Sequence, residues 1–188
     1  MGDPIISPRS RARRAVAQTV GFHAVCLIGL LDGSPPSADI EHALVEPFCT
    51  GGTVRRYRFP RQKARYLSGC LRALHAIDEP KDDTRFRDTL ASLPGIGLKT
   101  ASWIVRNYRQ SNNVAIVDVH ILRAGRYLGL YPSEWSPQKH YRKLEELFLQ
   151  FSRAINTASG MLDALMWDYM RRAPISRALQ PSAQYQLL

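Results

Sequence analysis

No stretch of this chain approaches the roughly 18 consecutive apolar residues that a membrane-crossing helix requires, and the most apolar segment, Ala24 to Leu31, is short enough to be a core helix. The N-terminal region reads against a secretory signal. Its basic cluster of Arg9, Arg11, Arg13 and Arg14 leads into an apolar segment broken by Gln18, Thr19 and His23, with no small-residue cleavage site after it. Cysteine is scarce and odd in number. Cys26, Cys49 and Cys70 lie too far apart for a disulfide framework or a zinc or iron–sulfur site and suit a reducing, cytoplasmic compartment. Alternating β-branched runs long enough for a sheet are missing, as is any internal repeat, and apolar residues recur at helical spacing almost throughout. The expected class is therefore all-α.

Acidic residues are also in short supply. Sixteen of them face 26 lysines and arginines, mostly arginine, for a net charge of +10. Polyphosphate partners reward that imbalance through counterion release, although a basic surface without a partner has the same composition. At 188 residues the chain can build one core or two small lobes sharing a cleft. Helices are expected at about 11–31, 37–47, 60–77, 82–92, 98–109, 119–129, 137–155 and 158–171. Gly33 to Pro36, Gly51 with Gly52, Pro80, Pro94 to Gly97, Ser111 to Asn113 and Pro132 punctuate them. The Pro-, Ser- and Gln-rich tail from 173 to 188 is expected to be extended.

The most informative segment is Leu93-Pro94-Gly95-Ile96-Gly97-Leu98-Lys99-Thr100-Ala101, which joins two of the expected helices. Gly95 and Gly97 permit a tight turn of positive φ and leave backbone N–H groups bare at the start of the next helix, where an anion is favoured. Such a turn can hold a phosphate, with Ile96 pointing inward to pin the two helices. An ordinary helix junction without a ligand is the plainer reading. Lys99 falls in the first turn of that helix, where the helix dipole and any partial burial disfavour the ammonium form and leave a nucleophilic amine. Nineteen positions on, in Val114-Ala115-Ile116-Val117-Asp118-Val119-His120-Ile121-Leu122-Arg123, a carboxylate ends an apolar run and stands at an expected helix N-cap. Asp118 can serve as that cap alone, or it can also face a cationic sugar as a glycosidic bond breaks. Arginines 55, 56, 58, 61, 65 and 72 and Lys63, interleaved with Tyr57 and Phe59, suit phosphate contacts beside an unstacked base, and equally suit a solvated helix face.

The pairing of Leu-Pro-Gly-Ile-Gly-Leu-Lys-Thr-Ala with Val-Asp-Val-His-Ile-Leu-Arg resembles the helix-hairpin-helix DNA glycosylase superfamily, in particular its bifunctional 8-oxoguanine DNA glycosylase/AP lyase branch. Arg58-Phe59, Gln62-Lys63-Ala64-Arg65-Tyr66-Leu67 and Leu162-Asp163-Ala164-Leu165-Met166-Trp167 are similar to segments of the archaeal-type members. The resemblance implies two helical lobes flanking an active-site cleft. One lobe would be built from about 1–36 with 137–172 and the other from about 37–136, together making a single glycosylase domain. It further implies a monomer acting in the nucleoid on double-stranded DNA with a damaged or modified base. Lys99 would attack the sugar to form a Schiff base, assisted by Asp118. Phe59 and Trp167 would stack on the extruded base, and Asp163 would meet a polar edge of it. Gly95, Gly97, Thr100, His120, Arg61 and Lys63 would contact DNA. No catalytic metal or iron–sulfur cluster is expected, since no cysteine follows Cys70; a structural monovalent cation at the hairpin is. The alternatives are a glycosylase for another modified base, including one serving defence against foreign DNA, and a non-catalytic helix-hairpin-helix DNA-binding module.

Overall fold

A computed structural model describes residues 36–172 apart from Gly51 and His75. The helix expected at 11–31 and the tail beyond Arg172 lie outside the described residues. Among those residues the chain forms seven α-helices and one β-hairpin: α1 (Ser37–Val45), β1 (Phe48–Thr50), β2 (Thr53–Arg55), α2 (Pro60–Ala73), α3 (Asp83–Ala91), α4 (Leu98–Arg109), α5 (Val119–Tyr127), α6 (Pro137–Ala154) and α7 (Ser159–Arg172). The all-α expectation is met, with one departure. The segment from Phe48 to Arg55 folds as an antiparallel hairpin in which Phe48 pairs with Arg55, Cys49 with Val54 and Thr50 with Thr53. Its strands are three residues long, too short to show as alternation. Gly52, which precedes β2, sits at φ +76°, a left-handed conformation that suits a tight hairpin turn.

The chain divides into two compact units, Met1–Arg109 and Gln110–Leu188. In the first, α1 packs on α2 through Ile40, Leu44, Ala64, Leu67 and Leu71, and α3 packs against α4. Asp82 caps α3 by accepting the Arg85 N–H at 2.7 Å. At the same end of this pair, Arg109 gathers the segment ahead of α3. Its guanidinium donates to Asp83 Oδ1, Glu79 Oε1 and the carbonyls of Pro80 and Lys81, and lies 4.2 Å over the Phe86 ring. Four hydrogen bonds and a ring face make this one side chain the tie between the loop and both helices.

In the second unit α5 packs on α7, and α6 also meets α7. Helix α5, which the sequence reading groups with 37–136, thus makes its helix–helix packing with α7. Helix α6 buries Tyr141, Leu144, Glu145, Phe148 and Ser152, one stripe at i, i+3, i+4, i+7 and i+11. At Gly125 of α5 a Cβ would meet the Tyr131 ring at 2.2 Å, so only glycine lets that ring close over the helix. The 137–172 portion matches the expected helices to within a residue or so, while α2 stops at Ala73, short of the expected 77.

Candidate active site

The turn between α3 and α4 has the form that its two glycines suggest, and they serve it differently. Gly95 is left-handed at φ +76°, and a Cβ there would come within 2.6 Å of Tyr66 Cβ on α2. Conformation and crowding both demand glycine at that position. Gly97 is not left-handed, and a Cβ there would meet nothing within 4 Å. Nothing in the fold requires a glycine at 97. What its bareness does provide is open access to the N-terminus of α4. Ile96, between them, is 5% exposed and so pins the junction as expected, while the Leu93 carbonyl accepts the Ile96 N–H at 3.1 Å. Lys99 follows in the first turn of α4. Its side chain is exposed, so the partial burial expected for it is not found; Thr100 is half-buried.

Elsewhere in this unit Phe59 is the N-cap of α2 in a left-handed conformation, φ 59° and ψ 52°, with no side-chain cap bond and 63% of its surface exposed. An aromatic residue held there is strained by about 1–3 kcal/mol, a cost that tends to be retained at functional sites. The Arg58 guanidinium lies 5.5 Å over its ring. Of the two basic residues expected to reach DNA, Arg61 is paired with Glu41 at 3.3 Å and Lys63 is half-buried and engaged within the protein.

In the second unit Asp118 caps α5. Its Oδ1 accepts the N–H groups of His120 at 2.8 Å and Ile121 at 3.0 Å. Both bonds fall on the same oxygen, so Oδ2 has no hydrogen-bond partner among the described residues and is available to a ligand. His120 is half-buried and meets Trp167 edge-on, ring centroids 6.1 Å apart at 81°, with its Nδ1 buried and unpaired. Trp167 keeps 42% of its surface exposed, and Arg171 lies 5.0 Å over its ring. Arg171 and Arg172 both pair with Asp168, whose carboxyl is held below its ordinary value chiefly by the hydrogen bond from Arg171. Asp163 is only 3% exposed and accepts the Ile116 N–H at 3.4 Å, so at least one of its oxygens serves the fold.

Two further polar residues hold the approach to Asp118. Glu145 Oε1 accepts the Ala115 N–H at 3.0 Å, and the Tyr141 hydroxyl accepts the Val117 N–H at 3.3 Å while donating to the Ala115 carbonyl at 3.0 Å. The sequence reading did not single them out. The available signal was an acidic residue on the apolar stripe of α6, between Leu144 and Phe148, four residues after a tyrosine. Among the described residues no cluster of His, Cys, Asp and Glu could hold a metal ion, and no helix is long and apolar enough to cross a membrane.

Residues 52–157 match the family model described as 8-oxoguanine DNA glycosylase, Ogg-HhH. That segment includes Phe59, Lys99, Asp118 and His120 and ends before Asp163 and Trp167. The chain is similar to the 8-oxoguanine DNA glycosylase/AP lyase of Metallosphaera sedula, 32% identical over 128 residues that cover 64% of this chain and 61% of that one. It is likewise similar to the protein of the same name from Saccharolobus islandicus, 27% identical over 122 residues, 60% of this chain and 58% of the other. The match thus spans 61% and 58% of the lengths of these two curated relatives. Among solved structures, the 8-oxoguanine DNA glycosylase of Thermotoga maritima has a similar fold, with a TM-score of 0.66 and 23% identity over 88% of this chain and 81% of that one.

Proposed function

The chain belongs to the helix-hairpin-helix 8-oxoguanine DNA glycosylase family, and on that premise we propose that it excises an oxidised purine such as 8-oxoguanine from duplex DNA and then nicks the strand as an AP lyase. Lys99 is the nucleophile and Asp118 its carboxylate partner. The observation that carries this reading is an exposed lysine two residues past Gly97, a glycine that the fold does not need. A phosphate can approach the bare N-terminus of α4 there, which sets a strand beside the amine.

In the proposed reaction the Lys99 amine, uncharged when it attacks, forms a bond to the anomeric carbon as the glycosidic bond breaks. The base leaves with the bonding electrons and takes up a proton. The sugar ring opens to an imine, and elimination of the 3′ phosphate cuts the strand. Asp118 Oδ2 stabilises the positive charge that builds on the sugar. The extruded base stacks on Phe59 and Trp167, contacts worth about 1–3 kcal/mol each, and the strain at Phe59 together with the exposure of both rings supports that role. Thr100, His120 and the arginines that follow β2 supply phosphate contacts. Arg61, Lys63 and Asp163 each already hold a partner within the protein, so a DNA or base contact there adds to or replaces an existing interaction. The monovalent cation at the hairpin belongs to the same proposal. The carbonyl oxygens of Pro94, Gly95 and Ile96 accept no backbone hydrogen bond among the described residues, and carbonyls suit a hard cation.

Borohydride trapping tests the reading. The wild-type protein is expected to form a covalent complex with a duplex carrying one 8-oxoguanine, and Lys99→Gln to lose trapping while keeping DNA affinity. Nicking by Lys99→Gln at the wild-type rate would refute the nucleophile. Trapping on duplexes with other modified purines but not on 8-oxoguanine would move the substrate and leave the chemistry in place, and trapping on none would favour the non-catalytic DNA-binding module.

A further inference from the structure

The four residues that lead into Asp118 are buried, with Val114 and Ala115 at 0%, Ile116 at 8% and Val117 at 1% exposed. They belong to no helix or sheet. Three of their N–H groups are answered by side chains instead. Glu145 takes the Ala115 N–H, Asp163 the Ile116 N–H and Tyr141 the Val117 N–H. The Asp118 N–H then bonds to the Ile116 carbonyl at 3.1 Å, closing a three-residue turn centred on Val117.

Tyr141 has a particular place in this arrangement. Its hydroxyl accepts from Val117 and donates to the carbonyl of Ala115, so one oxygen holds the centre of the turn and the residue before it. Apolar packing alone resists separation but has no direction, whereas these bonds set the planes of the peptides just ahead of Asp118. On its other side Asp118 is held by the cap bonds to His120 and Ile121. The turn and the cap together determine where the free Oδ2 points.

We infer that Tyr141 is a positioning residue for Asp118, fixing the turn at Val117 that aims Oδ2, with Glu145 securing the same segment two residues upstream, at Ala115. The inference rests on the proposed catalytic role of Asp118. Loss of the Tyr141 hydroxyl keeps the ring in the core and frees the turn, and a reacting group misplaced by even an ångström loses on the order of a hundredfold in rate. A tenfold or greater fall is therefore expected.

The test is a double-mutant cycle read as single-turnover excision from a duplex carrying one 8-oxoguanine, with duplex affinity measured separately. Tyr141→Phe is expected to lose about tenfold or more in rate with unchanged affinity, and to cost nothing further in an Asp118→Asn background. Equal losses in both backgrounds would assign Tyr141 to the fold alone and overturn the inference, as would a wild-type rate for Tyr141→Phe. Glu145→Gln, which keeps an acceptor oxygen, is expected to retain the rate that Glu145→Met loses, and this pair decides the matter if Tyr141→Phe does not fold. A wild-type rate for Asp118→Asn would instead remove the role of Asp118 itself, and the inference with it.

Discussion

Replacing Gly97 by alanine sets folding against binding at one atom. In the folded chain the new Cβ meets no heavy atom within 4 Å, and the backbone there is not left-handed. The native state therefore loses nothing, while the unfolded chain loses conformational freedom, and the protein should gain about 0.4–1 kcal/mol. For a chain of this size that gain raises Tm by roughly 1–4 °C. If a phosphate oxygen closes on the bare amides at the start of α4, the added methyl keeps it out. Loss of one hydrogen bond to a charged group costs about 1.5–3 kcal/mol, or roughly 10- to 100-fold in Kd. Gly95→Ala is the control, because there the left-handed backbone and the Tyr66 Cβ at 2.6 Å both oppose a side chain. It should lose about 1–2 kcal/mol to backbone conformation, and more to the clash. Thermal unfolding and fluorescence anisotropy on an undamaged duplex at one salt concentration read both quantities. A Gly97→Ala protein that binds DNA as tightly as wild type would refute a phosphate site at this turn, and one that melts earlier would refute the account of the fold.

Two predictions concern stability alone. Burial pushes the Cys70 thiol up to about 11 from 9.0, so the fold favours the protonated form. That contribution is complete below pH 9 and fades as pH rises toward 11, by about 1.4 kcal/mol per pH unit within the window. Denaturant midpoints measured from pH 8 to 11 should fall more steeply for wild type than for Cys70→Ala, and parallel declines would contradict the assignment. Arg109→Leu should destabilise by about 1–3 kcal/mol, since it removes the charged donor that Asp83, Glu79 and two carbonyls share. Chemical denaturation measures it, and a loss below about 1 kcal/mol would show that water replaces the guanidinium.

Local features of the chain were legible because they depend on near neighbours. Helical periodicity located all seven described helices, Asp118 announced itself as an N-cap at the end of an apolar run, and the spacing of Gly95, Ile96 and Gly97 implied a turn with its middle residue buried. The β-hairpin was not legible, since three-residue strands carry almost no pattern of their own. Asp163 read as a group for the substrate because its position along α7 says nothing of the Ile116 amide, 47 residues earlier, that it accepts.

By itself, then, the order of residues determined the helices, the Asp118 cap and the two-glycine turn, consequences of short-range sterics and periodic burial, while the candidate pair Lys99 and Asp118 was read from the resemblance its motifs carry. Tertiary structure alone decided which of the two glycines the fold needs and that Tyr141 and Glu145 hold the segment leading to Asp118. Those matters turn on which distant groups meet at hydrogen-bonding or van der Waals distance, and a linear pattern of side chains carries no record of such meetings.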